Sequence, residues 1–345
     1  MLELIRKYII NTRAKVSVKK KLLKKSNYDN DELLYSIKSF GTKNKNKIFY
    51  VINRTPGGGM FSNLNFVIHH LFIAEKFKFI PIIDMENFPT LYNEKIKINN
   101  SFNSWDYYFK KINKFKLEDV YQSKNVIFTN KNTNKNTNKN IFFDGFDQLS
   151  SAHKKVTKKY IKFNKQIMKE SKDYIKNNFK NKKILGVHFR GSDQKTQERH
   201  PLPATIRQIE KNIHYLLNKH KFDNFFLVTE EKKYLDYFNN TLKNKMLCIN
   251  SFVSNKVNIF KDSPKQRSLH RYHIGRENII NMLCLSKTDH ILCVQSNIPN
   301  ASIFFANKKI PVTKINNGFN SNNIFIAQIF WHLKKILPNF LGGFK

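Results

Sequence analysis

Cysteine and acidic residues are both scarce in this chain of 345 residues. The three cysteines, Cys248, Cys284 and Cys293, are an odd number and form no C-x-x-C pair, which argues against a disulfide framework and against a zinc knuckle. No stretch approaches the roughly 20 uncharged apolar residues that cross a bilayer, and cations interrupt the apolar runs near the N-terminus. We therefore expect no signal peptide, no transmembrane anchor, and a reducing, cytoplasmic compartment.

Basic residues are in large excess: 62 Lys+Arg against 25 Asp+Glu give a formal charge of +37. A field of this size attracts polyanions, so nucleic acid and anionic membranes are candidate partners. However, Lys, Asn, Phe and Ile are over-used together, as AT-rich coding produces whatever the function. The sequence shows no helix-turn-helix, zinc-finger or aromatic sheet motif, so we expect no nucleic acid partner.

The length predicts two domains rather than one, since domains usually hold roughly 100 to 200 residues. We divide the chain into a basic arm at 1–45, a Rossmann-like domain at 46–180, a second such domain at 181–318 and a helical tail at 319–345. The low-complexity run at 130–140, NKNTNKNTNKN, cannot bury apolar surface, and so it predicts a loop.

Apolar runs and helical spacings alternate along both predicted domains. In the first, KIFYVI at 47–52 predicts a buried strand, the turn Arg54-Thr-Pro-Gly-Gly-Gly59 follows, a helix begins near Ser62, and a second strand spans 79–84. In the second, strands are predicted at 183–189, 224–229, 246–250, 290–294 and 310–314, and helices at 204–219, 232–243, 276–286 and 298–306. This order predicts an α/β fold with doubly wound parallel sheets, whose ligands bind beyond the carboxyl ends of the strands, in a cleft between the two domains.

The segment Gly186 to Pro201, GVHFRGSDQKTQERHP, carries the clearest chemical signal because polar side chains cluster where an apolar strand ends. A guanidinium at Arg190 is suited to a bidentate contact with phosphate oxygens. The alternative is a structural ion pair between Arg190 and Asp193. Periodicity by itself does not separate the two interpretations.

This segment resembles the GT-B fucosyltransferases, which include the core α1,6-fucosyltransferases, the nodulation fucosyltransferases and the protein O-fucosyltransferases. The α1,6 pattern H-x-R-R-x-D-K, followed by a glutamate and a His-Pro pair, matches at His188, Arg190, Asp193, Glu198 and His200-Pro201. Gly191 stands where the second arginine of the pattern lies. Lys195 comes one place after the position of its lysine.

Four other segments are similar to the family and appear in its order. The glycine loop at 57–63, which contains Gly59 and Asn63, is similar to G-x-F-G-N-Q, and the acidic tip at 228–231 follows the next matching strand. A tyrosine-bearing loop lies at 269–272, and a helix, strand and serine turn lie at 281–297. Ser296 falls on the serine that contacts a donor phosphate, although a plain helix cap is the alternative. The resemblance covers roughly residues 47 to 315.

The resemblance implies a metal-independent, inverting transfer of L-fucose from GDP-β-L-fucose to a glycan acceptor, with the first domain on the acceptor side and the second binding the donor. Arg190 would stabilise the leaving diphosphate and Glu198 would act as general base. The implied donor-binding residues are Gly59, Asn63, His188, Asp193, Lys195, Glu230, Tyr272 and Ser296. No D-x-D pair suggests a bound cation, and no cofactor is expected beyond the GDP-sugar donor.

Three alternatives stay open at this point. The first is a GT-B transferase that uses another GDP-sugar, because the matching motifs report the diphosphate more than the sugar. The second is a basic nucleic-acid-binding protein, and the third is a lectin-like descendant without activity. The basic arm also predicts peripheral contact with the anionic inner face of a membrane, where lipid-linked glycans are assembled.

Overall fold

The computed structural model describes residues 37–129, 145–191, 193–255, 259–260 and 267–344. Most of the predicted basic arm and the whole low-complexity run at 130–140 lie outside the described residues. The chain divides into two compact units, Met1–Asn164 and Lys165–Lys345.

A mixed four-stranded sheet forms the centre of the first unit, with the strand order β1-β4-β2-β3. Strand β2 pairs in parallel with β3 and β4, whereas β1 pairs with β4 antiparallel. The strands of this unit are β1 (Ile37–Lys38), β2 (Phe49–Ile52), β3 (Ile80–Ile83) and β4 (Val126–Phe128). The helices are α1 (Met60–Lys76), α2 (Ser104–Tyr108), α3 (Leu117–Val120) and α4 (Ser151–Tyr160).

Strand β2 is buried over its whole length, as its uninterrupted apolar sequence predicts. The Tyr50 hydroxyl shares a 2.8 Å hydrogen bond with Nδ1 of His70 on α1, which satisfies one polar pair inside this core. Burial lowers the pKa of His70 to about 3. The glycine turn connects β2 with α1, and both elements are largely buried.

The second unit contains a parallel five-stranded sheet with the order β7-β6-β5-β8-β9. Its strands are β5 (Ile184–Phe189), β6 (Asn224–Thr229), β7 (Met246–Leu247), β8 (His290–Cys293) and β9 (Val312–Lys314). Its helices are α5 (Lys165–Asn178), α6 (Ile206–His220), α7 (Lys232–Thr241), α8 (His270–Leu285), α9 (Asn297–Phe305) and α10 (Ile324–Ile336). Because the chain runs outward from β5 on one side and returns to β8 on the other, the strand order reverses between β5 and β8.

The predicted fold class is confirmed in its alternation and in its parallel sheets. Two predicted bounds in the second unit are wrong: α8 begins at His270 rather than at 276, and β7 has two residues rather than five. The first unit contains β1 and β4, which the apolar pattern did not predict. Both are too short for periodicity to reveal, and β1 uses residues that were assigned to the basic arm.

Helix α10 packs on the loop that follows β5. The Trp331 indole Nε1 donates a 2.8 Å hydrogen bond to the Pro203 carbonyl oxygen. The Asn320 amide, before the helix, donates to the Gln197 carbonyl oxygen at 3.0 Å. Through these two hydrogen bonds, α10 and the residues before it hold the loop after β5 in place.

Gly186, in the middle of β5, has no room for a side chain. An added Cβ would lie 2.7 Å from Thr288 Oγ1 and 2.8 Å from Leu285 Cδ2, and both residues are fully buried. We expect Gly186→Ala to lower the free energy of unfolding by about 1 to 3 kcal/mol, because a packed core accommodates an extra methyl only by strain. Urea unfolding measures this change, and an unchanged midpoint would show that the α8–β8 turn yields freely.

Candidate active site

A pocket opens in the second unit at the carboxyl ends of β5 and β6, with about 340 Å³ of empty space that includes its open mouth. Its position beside the reversal of strand order is where open α/β sheets bind ligands. The pocket is lined by residues from β5, β6, α8, α9 and the loop before α8. They are His188, Val228, Thr229, Glu230, Ser251, Phe252, Ile259, Ile274, Glu277, Asn278, Asn281 and Ile298.

Two buried polar atoms of the pocket lining have no hydrogen-bond partner among the described residues. They are Nδ1 of His188, which is 2% exposed, and Oδ1 of Asn281, which is 4% exposed. Burial, and secondarily the charge of Arg190, lowers the pKa of His188 to about 3, so its ring is neutral near pH 7. Because an unsatisfied buried polar group costs about 1 to 3 kcal/mol, these two atoms favour a polar ligand that completes their hydrogen bonds.

Arg190 and Glu230 lie at the ends of two adjacent strands, as predicted for the phosphate ligand and the acidic tip. The Arg190 Nε and the Glu230 Oε2 are 3.8 Å apart, which is longer than a direct hydrogen bond. Both side chains are partly exposed, and Glu230 lines the pocket. Arg190 thus has Glu230 as one acidic neighbour.

Lys195 forms a buried ion pair with Glu231 and stands beside Gly191. Its Nζ lies 2.9 Å from Oε1 and 2.7 Å from Oε2 of Glu231, and 4.8 Å from the centroid of the Tyr234 ring. An added Cβ on Gly191 would lie 2.5 Å from the Glu231 carboxylate and 2.9 Å from Lys195 Cε. A second arginine at this position, as in the family pattern, would have to displace the ends of these side chains and with them the ion pair. Burial lowers the pKa of Lys195, although Glu231 opposes that effect.

Ser296 begins α9 without capping it. Its side chain is 8% exposed, makes no cap hydrogen bond, and leaves Oγ without a partner among the described residues. The Gln194 amide donates a long, 3.4 Å hydrogen bond to the Gln295 carbonyl oxygen, which holds the serine turn against the loop after β5. The structure therefore disfavours the plain helix cap and leaves the hydroxyl and the first N–H groups of α9 available to an anion.

The wall of the pocket formed by α8 is fixed by Glu277. Its carboxylate pairs with the Arg267 guanidinium and accepts a 3.0 Å hydrogen bond from the Phe252 backbone N–H. The guanidinium also lies 4.7 Å from the centroid of the Phe252 ring. A charged pair and an aromatic ring thus hold the loop before α8 in place.

Of the predicted site residues, His188 and Glu230 line this pocket. Arg190, Lys195 and Ser296 lie near the same strand ends but are not part of its lining. Tyr272 lies in the first turn of α8, and the centroid of its ring is 5.1 Å from that of His273. Glu198 is exposed in the turn after the one-turn 3₁₀ helix Asp193–Lys195, so the partial burial expected of a general base is not found there. Asp193 lies in that 3₁₀ turn.

The glycine loop of the first unit is held by Asn63. Its amide accepts a 2.9 Å hydrogen bond from the Gly58 N–H and donates to the Gly58 carbonyl oxygen at 3.1 Å. Gly57 has a φ of +72°, and a Cβ there would lie 2.6 Å from Asn63 Oδ1, so this position requires glycine. An added Cβ on Gly59 would meet nothing within 4 Å. The Arg54 guanidinium, which sequence reasoning did not single out, donates 2.6 Å to the Ser62 carbonyl oxygen.

No protein-family model matches the sequence, and no curated protein matches it. Among solved structures, NodZ α1,6-fucosyltransferase co-crystallised with GDP is 12% identical, with a TM-score of 0.51 over 79% of this chain and 96% of that one. NodZ from Bradyrhizobium is 13% identical, with a TM-score of 0.46 over 75% and 93% of the two chains. POFUT1 in complex with GDP-fucose is 11% identical, with a TM-score of 0.34 over 79% and 74%.

The chain has the GT-B fold. This assignment depends on the co-crystallised NodZ structure, and it confirms the fold that the sequence resemblance implied. At such low identity the likeness concerns the fold, so the role of each side chain has to be argued from its own surroundings.

Two members of the site were missed by sequence reasoning. Asn281 is the buried polar residue of a helix stretch that reads IINMLCL, and a lone amide in such an apolar run is a usable signal. Gln194, 3% exposed, stands where the family pattern has a lysine, and its side chain joins the two turns of the site. Glu231, the last residue of the acidic tip at 228–231, holds Lys195.

The described residues contain no cluster of three or more His, Cys, Asp or Glu side chains placed to bind a metal. Within the same part of the chain, each helix is too short or too polar to cross a bilayer.

The neutral, buried state of His188 predicts a measurable pH dependence of stability. Its folded pKa of about 3 is below its ordinary value of 6.5, so the unfolded chain binds the proton first as the pH falls. The contribution of this group is complete above pH 6.5 and is lost at lower pH, at about 1.4 kcal/mol per pH unit. Urea unfolding of wild type and His188→Gln from pH 7 to pH 5 should therefore give a shallower slope for the variant, and equal slopes would contradict this prediction.

Proposed function

We propose that this chain is a GT-B glycosyltransferase that takes a GDP-sugar as donor, with GDP-β-L-fucose the best-supported donor. Its product would be an α-fucoside on a glycan or lipid-linked glycan, formed with inversion at the anomeric carbon. The observation that carries the proposal is the set of buried polar atoms without partners at the ends of β5 and β8 and on α8, in His188, Asn281 and Ser296.

These three groups match the needs of a nucleoside diphosphate. A neutral imidazole and an amide oxygen in a pocket are suited to the hydroxyls of a ribose or the edge of a base. A hydroxyl at the start of a helix, beside unpaired backbone N–H groups, is suited to a phosphate. The fold supports the same ligand class, because the solved structure that shares it contains GDP.

Arg190 is the group placed to stabilise the leaving diphosphate. Lys195 is paired with Glu231, and Arg190 lies beside Glu230 at the adjacent strand ends with part of its surface exposed. A guanidinium carries five N–H donors in a planar fork, so phosphate oxygens could bind Arg190 while Glu230 accepts from a ribose hydroxyl. The charge that develops as the sugar carbon detaches would then lie against a fixed guanidinium.

Glu198 is our candidate for the general base, on the family spacing alone. Its exposure in the second unit makes the carboxylate accessible to an acceptor hydroxyl. A base that works near pH 7 needs a pKa above the ordinary glutamate value of roughly 4.3, so the bound acceptor would have to supply the burial. Asp193 is kept as a donor-binding candidate on the same basis.

A donor panel tests this function directly. Thermal unfolding is followed with GDP, UDP and an oligonucleotide, and release of GDP is followed with GDP-fucose and GDP-mannose. We expect GDP alone among the three to stabilise the protein, and GDP-fucose to be the faster donor. Faster use of GDP-mannose would favour another GDP-sugar transferase. Stabilisation by the oligonucleotide that weakens steeply with salt would favour a nucleic-acid-binding protein, and GDP binding without turnover on any acceptor would favour the lectin-like alternative.

Arg190→Ala should lower GDP release from the sugar donor by about 100-fold or more, because removing one well-placed donor to a developing oxyanion typically costs that much. The matched control is Arg207→Ala, which removes the same charge from an exposed site at the start of α6. The assay is steady-state release of GDP at saturating GDP-fucose. Equal losses in both variants would show that the general positive charge matters, and not this guanidinium.

Ser296 directly precedes α9 and Ser302 lies within it. We expect opposite effects on GDP binding and on stability when each is replaced by alanine. The Ser302 hydroxyl donates a 2.9 Å hydrogen bond to the Ile298 carbonyl oxygen, whereas that of Ser296 has no partner in the described chain. We expect Ser296→Ala to weaken GDP binding about tenfold without any loss of stability, since the substitution removes a buried hydroxyl whose hydrogen bonds the protein leaves unmade. Ser302→Ala should lower stability by about 1 kcal/mol and leave GDP affinity unchanged. Calorimetric titration and urea unfolding measure both, and equal GDP affinities in the two variants would exclude Ser296 from the donor site.

A further inference from the structure

Helix α10 exposes an apolar face near the end of the chain. Phe325 is 80% exposed, Ile329 55%, Leu333 46% and Ile336 61%. Phe340, in the short 3₁₀ turn that follows, is 85% exposed. Single exposed apolar side chains are ordinary on a protein surface, but a group of large ones on one element indicates an interaction surface.

The exposed residues lie on one side of the helix, opposite the side that packs on the protein. Ala327 and Trp331 are buried and lie four residues apart, on the inner side. Ile329, Leu333 and Ile336 follow one another at spacings of four and three, which places them together on the outer side. We call this outer side, with Phe325 and Phe340, the apolar face of α10.

The apolar face is held rigidly by the protein beneath it. The Trp331 indole donates to Pro203, as described above, and the Lys195 Nζ lies 5.2 Å from the centroid of the Trp331 ring. At the other end, the Asn323 side chain caps the helix by accepting hydrogen bonds from the Phe325 and Ile326 N–H groups, at 2.9 and 3.2 Å. After the helix, the Phe344 N–H donates to the Lys334 carbonyl oxygen at 2.7 Å, so the tail folds back instead of fraying.

The charge around the apolar face selects its partner. No Asp or Glu follows Asp289 in the sequence. Lys334 and Lys335 lie in the last turn of the helix, on the side of Ala327 and Trp331 rather than on the apolar face. Such a surface is complementary to anionic lipid headgroups, and each Lys near them contributes attraction. A second copy of a chain with a formal charge of +37 would bring like charges together instead. The helix has 13 residues, fewer than the roughly 20 that span a bilayer, and so fits a position in the headgroup plane.

We propose that the apolar face of α10 docks on the surface of a bilayer that contains anionic lipid. The aromatic and aliphatic side chains enter the boundary between headgroups and acyl chains, and the excess positive charge of the chain favours anionic headgroups around them. Because α10 packs on the loop 190–203, the docked helix places that loop beside the lipid surface. The basic arm, for which the sequence also predicts membrane contact, lies mostly outside the described residues, and α10 would be a second contact at the other end of the sequence.

Vesicle sedimentation with the full chain tests this proposal. The vesicles contain phosphatidylcholine alone, or phosphatidylcholine with about one third phosphatidylglycerol. We expect the wild type to prefer the anionic vesicles, and Phe325→Glu/Ile329→Glu to bind them roughly thirtyfold more weakly, because two buried apolar side chains are lost and two anions are added. Added salt should weaken binding of the wild type to anionic vesicles and leave its binding to neutral vesicles unchanged, because it screens the attraction to the headgroups.

The matched control is Ile96→Glu/Phe102→Glu, which makes the same two changes at exposed positions of the first unit, where Ile96 is 59% and Phe102 37% exposed. It should bind vesicles nearly as the wild type does, and all variants should keep wild-type GDP affinity and thermal midpoint. Equal losses in the control and in the α10 variant would overturn the proposal. The proposal would also be overturned if deletion of residues 1–36 abolished vesicle binding while the α10 variant still bound. A third contrary result would be a wild-type protein that is dimeric and does not bind vesicles, with an α10 variant that is monomeric. GDP affinity is measured separately, so failure here leaves the proposed function untouched.

Discussion

The buried ion pair between Lys195 and Glu231 is the interaction on which the site depends. It ties the loop after β5 to the start of α7, in a position where both charges are almost withdrawn from water. A buried pair of this kind adds little net stability compared with apolar residues, but loss of one partner strands the other charge at a cost of about 3 to 5 kcal/mol. Its function is therefore to specify the path of the loop, and the aromatic rings of Tyr234 and Trp331 complete the surroundings of the ammonium group.

That fixed loop explains how a strand end presents polar atoms that the protein itself does not satisfy. Polar atoms of His188, Asn281 and Ser296 remain without hydrogen-bond partners in the folded protein, which lowers its stability. By contrast, the hydroxyls of Thr288 and Ser302 donate to backbone carbonyl oxygens. These three atoms lie around the carboxyl ends of the central strands, whereas other unsatisfied atoms, such as Nε2 of His70 and Nε1 of Trp105, lie in the first unit. Preorganised groups of this kind bind a ligand without first having to break internal hydrogen bonds.

The sequence predicted the alternating elements of the second unit well, because its strands are buried on both faces and its helices carry regular apolar spacing. It predicted the surroundings of individual side chains less well. Lys195 was expected to bind phosphate and is neutralised by Glu231, a residue from another strand end, and no local pattern reports such a pairing. Tyr272 was placed in a loop because a left-handed residue, Leu269, starts α8 earlier than the apolar spacing does. Asn63 was expected to face a ligand, yet its amide is taken up by the glycine loop itself.

Gly191 carries a consequence for how the cation beside this loop can change. Cε of Lys195, the hydroxyl of Tyr234 and the carboxylate of Glu231 lie where a side chain at residue 191 would begin. Any residue larger than glycine at 191 would therefore push first on the ion pair and, through that pair, on the path of the loop.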